Sequence, residues 1–150
     1  MICGIDANVL IYSAVESIPE HKRVRSFFER HVLTGELICA VSFPVLLEFI
    51  HITTDPKRFS QPLTVEESLE MAEQYWNAGD WHRLVPKPTT GARALALLRQ
   101  YKLGRKRLLD TYLAATLLDS EIIHLITCNH DDFKIFKELR LINPLKPGIG

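Results

Sequence analysis

Four carboxylates stand where chemistry is possible. Asp6 directly follows the apolar run "MICGI", and Asp132 sits in the polar knot "NHDDF" after a second apolar run, "IIHLIT". Each therefore lies past the carboxyl end of an expected strand. Asp is also a good helix N-cap and turn residue, so each has a plainer structural role to set beside a chemical one. Glu48 shares a helical face with Val45, Phe49 and Ile52, and Asp110 shares one with Leu113, Ala114 and Leu117. A carboxylate on an apolar face must be neutral, paired or bound to a cation, because an isolated buried charge is costly. Glu48 reaching solvent or an arginine is the simpler alternative. For Asp110 it is a pair with Lys106 or Arg107 on the preceding turn.

Taken together the four acids say more than any one alone. A parallel sheet can bring them to one end, where they would repel one another and raise each other's pKa. A hard divalent cation relieves that repulsion, and oxygen donors with retained waters describe magnesium or manganese. Such an ion activates water and stabilises a phosphoryl transition state, so phosphodiester hydrolysis is the leading chemistry. Competing motifs are absent: there is no Gly-rich phosphate loop, no zinc-protease spacing among the 6 histidines, and no nucleophile elbow. His130 reads as a surface residue. The "GRKR" run at 104–107 precedes Asp110 by one turn, so Arg105, Lys106 and Arg107 are candidates for holding a phosphate backbone. "HKRVR" at 21–25 is a second candidate. A solvated helix face is the common meaning of such runs.

The elements that must position these residues alternate along the chain. Apolar strands are expected at "MICGID", "ELICAV", "IIHLIT" and "RLINPL", with a short one at "WHRLVP". Helices are expected at "ANVLIYSA" and at "HKRVRSFFERHVLTG", where Val24, Phe27, Phe28 and Val32 form a stripe that Gly35 ends. "SFPVLLEFIHITT" has Ser42 as N-cap and Pro44 in its first turn. Thr64 and Glu67 form a capping box for "VEESLEMAEQYWNAG". Further helices are expected over "TTGARALALLRQYKLG", ending at Gly104, over "RKRLLDTYLAATLLDS", and briefly over "FKIFKEL". This alternation predicts an α/β fold whose parallel sheet is flanked by helices on both faces.

The 150 residues suit one domain, and 47% hydrophobic content suffices for a core. Eighteen basic and 18 acidic residues cancel, so nucleic-acid binding would rest on a local patch and not on a global field. The 3 cysteines, Cys3, Cys39 and Cys128, form neither a disulfide framework nor a paired zinc site. With no membrane-length apolar run and no signal-peptide pattern, a soluble cytoplasmic protein is expected.

With these residues in hand, the chain resembles the PIN-domain ribonucleases, in particular the VapC toxins of toxin–antitoxin pairs. "IDANVLIY" looks like the opening motif, with Asp6 as first metal acid and Asn8 beside it. "LLEFIHI" matches the helix carrying the family's single Glu, here Glu48. "LLDTYLAATLLDSEIIHLITCNHDDF" resembles the family's most specific segment, with Asp110, Ala114, Ala115 and a turn ending in an acid and Phe. The resemblance runs nearly end to end. It implies a three-layer PIN fold spanning 1–150 as a single domain, a magnesium- or manganese-dependent endoribonuclease, an RNA substrate, a cognate antitoxin and a homodimer. On that reading Asp6 and Asp110 hold the principal metal, and Glu48 binds it directly or through water. Asp132, helped by Asn129, completes the cluster or positions a water. The chain departs from the pattern twice: Ala7 stands where Ser or Thr is common, and Asn129 where many members carry Asp. Two rivals follow, a PIN scaffold that binds without cutting and a metal phosphatase acting on small esters.

Overall fold

Five short strands, every neighbouring pair parallel, form one sheet in the order β3-β2-β1-β4-β5. The computed structural model describes residues 1–146. The strands are β1 (Ile2–Ile5), β2 (Ile38–Ser42), β3 (His82–Leu84), β4 (His124–Ile126) and β5 (Arg140–Ile142). The three central strands are buried and apolar, as strands covered on both faces must be: Cys3, Ile5, Cys39, Val41, Leu125 and Ile126 are fully inaccessible.

The helices form where local chemistry permits. α1 (Ala7–Ala14) starts one residue after β1 because Asp6 caps it, its side chain accepting from the Ala7 N–H. α2 (His21–Phe27) runs into a π-helical turn, Phe28–Val32, and Gly35, at φ 81°, takes the left-handed conformation that ends the segment. The expected continuous helix is thus α-helical for two turns and wider after that. All four residues of its expected stripe are buried. α3 (Phe43–Thr53) is capped by Ser42, whose hydroxyl accepts from Val45 N, with Pro44 in the first turn. α4 (Val65–Asn77) carries the complete Thr64–Glu67 capping box.

Further boundaries differ from the sequence expectation. α5 (Thr90–Gln100) stops before Gly104, because Lys102 turns the chain at φ 53°. Arg105–Arg107 form a 3-10 turn ahead of α6 (Leu108–Asp119). The short helix after β4 is α7 (His130–Phe133), so "NHDDF" contains it, and Asp132 lies inside the helix and not ahead of it.

α1 packs on α2 and α3, and α3 on α4, while α5 and α6 pack on each other. Gly4 lets α6 approach the sheet: a Cβ there would stand 2.5 Å from Leu117 Cδ2. Leu113, Ala114, Ala115 and Leu117 of α6 are all buried, so the Leu/Ala stripe is core. That packing aims the first turn of α6, and Asp110 with it, at the carboxyl edge of the sheet.

Candidate active site

The strand order reverses between β1 and β4. In open parallel sheets such a switch point leaves a crevice outside the carboxyl ends of the strands, because the two connecting chains leave in opposite directions. Asp6 ends β1 there and Thr127 ends β4. The ladder continues past both strands, with Asp6 N donating to the Ile126 carbonyl at 3.0 Å and Thr127 N to the Ile142 carbonyl at 2.9 Å.

Asp6 is buried, with 6% of its surface exposed. Its Oδ1 accepts from Ala7 N at 2.8 Å. Its Oδ2 accepts from Asn8 Nδ2 and from the Thr127 hydroxyl, both at 2.9 Å. Burial pushes its pKa up, the three hydrogen bonds pull it back, and the charge of Asp132 raises it again. Asn8 also accepts from Cys128 N at 3.0 Å, which ties the start of α1 to the loop after β4.

Glu48 and Asp110 face the same place from two helices. With Asp6, Asn8 and Asn129 they line a cavity of about 440 Å³, closed on other sides by Tyr12 and Arg58. Burial raises the Glu48 pKa and Asp6 adds to it, while Arg58 and His51 oppose. Asp110 is pushed up to about 7, first by burial, then by Asp6 and Asp132; Arg107 opposes, and Glu48 adds a smaller push. These carboxyls are therefore electrostatically coupled, as acids gathered for a cation are.

Asp132 and Asn129 divide the remaining position between them. Asn129 is exposed, lines the cavity, and is held by its own N–H, which donates to Thr127 Oγ1 at 3.0 Å. Asp132 is partly buried in α7, does not line that cavity, and acts on Asp6 and Asp110 through its charge. Of the basic candidates, Arg105 and Lys106 are exposed. Arg107 turns toward the acids. Its Nη2 donates to the Asp132 carbonyl oxygen, and its Nε lies 3.7 Å from Asp110 Oδ2, buried and without a hydrogen-bond partner among the described residues. The intrahelical pair expected as the alternative role for Asp110 thus coexists with its place in the cavity.

The structure brings Asp6, Glu48, Asp110 and Asn129 together around one cavity, with Asp132 behind it. Sequence reasoning missed Thr127 as the clamp on Asp6 and Arg58 as the cation facing Glu48. A Thr ending an apolar strand was a signal for the first. Arg58 lies in a loop, residues 54–64, and left none. Every donor is a hard oxygen, which suits magnesium or manganese. Among the described residues no three His, Cys, Asp or Glu side chains converge tightly enough to cage an ion alone. Magnesium usually takes one or two carboxylates and keeps several waters, so the donor set suits an ion held partly through water.

Comparison with known proteins agrees with this architecture. Ribonuclease VapC24 of Mycobacterium tuberculosis is 27% identical over 142 residues, spanning 95% of this chain and 96% of that one. Among solved structures, the M. tuberculosis toxin VapC20, described as cleaving the sarcin–ricin loop, superposes with a TM-score of 0.68 at 11% identity. It covers 90% of this chain and 95% of its own. VapBC-1 from nontypeable Haemophilus influenzae gives 0.66 at 19%, covering 97% and 100%. The PIN-domain family model matches residues 4–139, the span from β1 to the start of β5 that carries every acid described above, and the chain belongs to the PIN-domain family.

Proposed function

We propose that this chain is the toxin of a toxin–antitoxin pair and hydrolyses RNA phosphodiester bonds with magnesium or manganese. The observation that carries the reading is the convergence of Asp6, Glu48 and Asp110 on one cavity at the switch point, each with a raised pKa. The ribonuclease names of relatives matched over nearly their whole length support it, as do the toxin–antitoxin complexes among the fold's neighbours.

Asp6 and Asp110 are the residues that would hold the ion, with Glu48 directly or through water. When bound, the ion supplies Lewis acidity and a water of lowered pKa. The chain's own groups do the rest. Thr127, Asn8 and the Ala7 N–H fix both oxygens of Asp6, so its carboxylate needs no reorganisation. Glu48, on the opposite wall, is the group to orient a water and accept its proton. Asn129 offers an amide at the rim, and Asp132 adds negative charge behind it. Arg58 and Arg107 supply positive charge at the two ends of the acid group.

The proposal includes a homodimer and a cytoplasmic setting. Phe43, Leu47 and Leu109 are 50 to 63% exposed, which supports an apolar contact face. The three cysteines are free, and no helix among the described residues is long and apolar enough to cross a membrane.

The test is cleavage of RNA by the purified protein with and without Mg²⁺ or Mn²⁺, beside Asp6→Asn. Metal-stimulated cleavage lost in the variant is expected, along with growth arrest on expression that a small neighbouring gene relieves. Full activity in Asp6→Asn would sink the assignment. Asn129 and Ala7, standing where many members of the family carry Asp and Ser or Thr, favour one second reading, a PIN scaffold that binds RNA or protein without cutting. Binding without metal-stimulated cleavage is its signature.

A further inference from the structure

A second cavity, about 400 Å³, lies between one face of α2 with its π-helical turn and the chain that follows β5. Lys22, Arg23, Arg30 and His31 line it on one side and Lys146 on the other, with the Phe27 side chain between. None of its lining side chains, among the described residues, is acidic. Lys22, Ser26 and Arg30 recur every four residues and so share one face of the segment. Arg30 is fixed over the groove by Ser26, which accepts from its Nε at 3.1 Å and its Nη2 at 2.6 Å. Among the described residues His31 alone of these has an anionic partner, Glu36 at 2.7 Å. Lys22, Arg23 and Lys146 make no ion pair among the described residues.

Two tethers place this groove beside the acid cavity. His21, at the start of α2, bonds through Nδ1 to the carbonyl of Tyr12, whose side chain lines the acid cavity. At the other wall, Thr127 N holds the Ile142 carbonyl, so residues 143–146 depart from the rim of the site. Cys128, beside the acids through its N–H bond to Asn8, also feels the charge of Arg23 in the groove. Burial above all holds its thiol up, at about 12; Asp6 and Glu20 push the same way and Arg23 pulls it back. From Lys22 to Arg30 the groove runs on the order of 12 Å along the helix, enough for more than one phosphate.

We infer that this groove binds the phosphate backbone of the RNA strand that leads into the acid cavity. The inference rests on the nuclease reading of that cavity. The physical case is charge. The chain's formal charge is zero, so no global field draws a polyanion in, and the acids of the site repel one. A local cationic track tied to the site through His21 and the chain after Ile142 supplies the attraction and sets the direction of the strand. "HKRVR" therefore serves as substrate contact, while the polar head of Arg107 is taken up by the acids and their loop.

The test is fluorescence anisotropy with a labelled mixed-sequence single-stranded RNA oligonucleotide and the full chain, in chelator, across a salt series. The variant is Lys22→Gln with Arg23→Gln, both exposed; the control is Arg99→Gln with Lys102→Gln, two exposed cations at and just beyond the end of α5 that do not line the groove. The groove variant should bind roughly fivefold to twentyfold more weakly, and its salt slope should become shallower by about 1.4, the release expected for two single-strand phosphate contacts. The control should match the parent. Unchanged affinity and slope in the groove variant would overturn the inference, while cleavage by the parent in Mg²⁺, measured separately, leaves the nuclease reading standing. If the parent never cleaves but the groove variant still loses RNA, the groove holds and the nuclease reading falls. A poly-glutamate peptide whose binding falls in the groove variant while RNA binding does not would reassign the groove to an acidic protein segment and overturn the inference.

Discussion

The Thr127 hydroxyl donates to Asp6 Oδ2 at 2.9 Å, joining two strand ends that are 121 residues apart in sequence. The same oxygen accepts the Asn129 N–H at 3.0 Å, so one side chain fixes both the first acid and the loop bearing the last ones. Thr127 is fully buried, which makes both bonds costly to replace with water.

Thr127→Val keeps the shape and removes the hydroxyl. It should destabilise the fold by about 1–3 kcal/mol, by denaturant melting, because a buried carboxylate loses a partner. Cleavage should fall roughly tenfold to a hundredfold, the usual cost of losing a group that orients a metal ligand. Thr127→Ser should recover most of both. A serine variant as damaged as valine would show that packing, not the hydroxyl, matters.

Asp132 and Asn129 can be separated by comparing Asp132→Asn with Asn129→Ala. The charge of Asp132 reaches both Asp6 and Asp110, so its loss should cost more activity. An inactive Asn129→Ala enzyme beside an active Asp132→Asn one would reverse the assignment.

Asp110 gives the metal-free protein a pH signature. Its carboxyl titrates near 7 in the folded chain and near the usual Asp value when unfolded. The folded state therefore binds more protons between those values, and stability must fall as pH rises from about 4 to 7. Asp6 and Glu48, shifted in the same direction, add to the slope. Thermal melts in chelator should show higher Tm at pH 5 than at pH 7.5. Asp110→Asn should flatten the difference, and Mg²⁺ should restore stability at the higher pH, where the ligands are ionised. A melt curve in chelator that is level across this range would contradict the coupling.

Gly4→Ala probes how α6 is seated. The added Cβ would stand 2.5 Å from Leu117 Cδ2 and 3.2 Å from its Cγ, inside a fully packed region. Overpacking of this kind costs about 1–3 kcal/mol. Leu117→Val in the same chain should relieve part of it, giving a favourable coupling in a double-mutant cycle. Additive losses would mean that the two residues do not meet.

Much of this molecule is local and therefore legible residue by residue. A cap, a helical stripe or a strand depends on side chains within a few positions of each other. Ser42, the Thr64–Glu67 box, the start of α1 at Ala7 and the membership of the α6 core all follow from such short-range rules. The end of α5 at Gln100, with the left-handed turn at Lys102, and the π-helical turn after Phe27 do not, since no residue type at those points demands them.

The sequence by itself determined that strands alternate with helices and singled out Asp6, Glu48 and Asp110, while it did not show that Asn129 and not Asp132 lines the cavity with them. Only the tertiary structure decided that β1 and β4 are neighbours, so that Thr127 meets and clamps Asp6 at the switch point. It also decided that Arg107 turns onto Asp110 and the Asp132 carbonyl while Lys22 and Arg23 face an open groove. The reason is physical. Periodicity and capping are settled by neighbours along the chain, whereas strand order and the direction of a long cation are settled by packing between distant segments, which no short window of sequence contains.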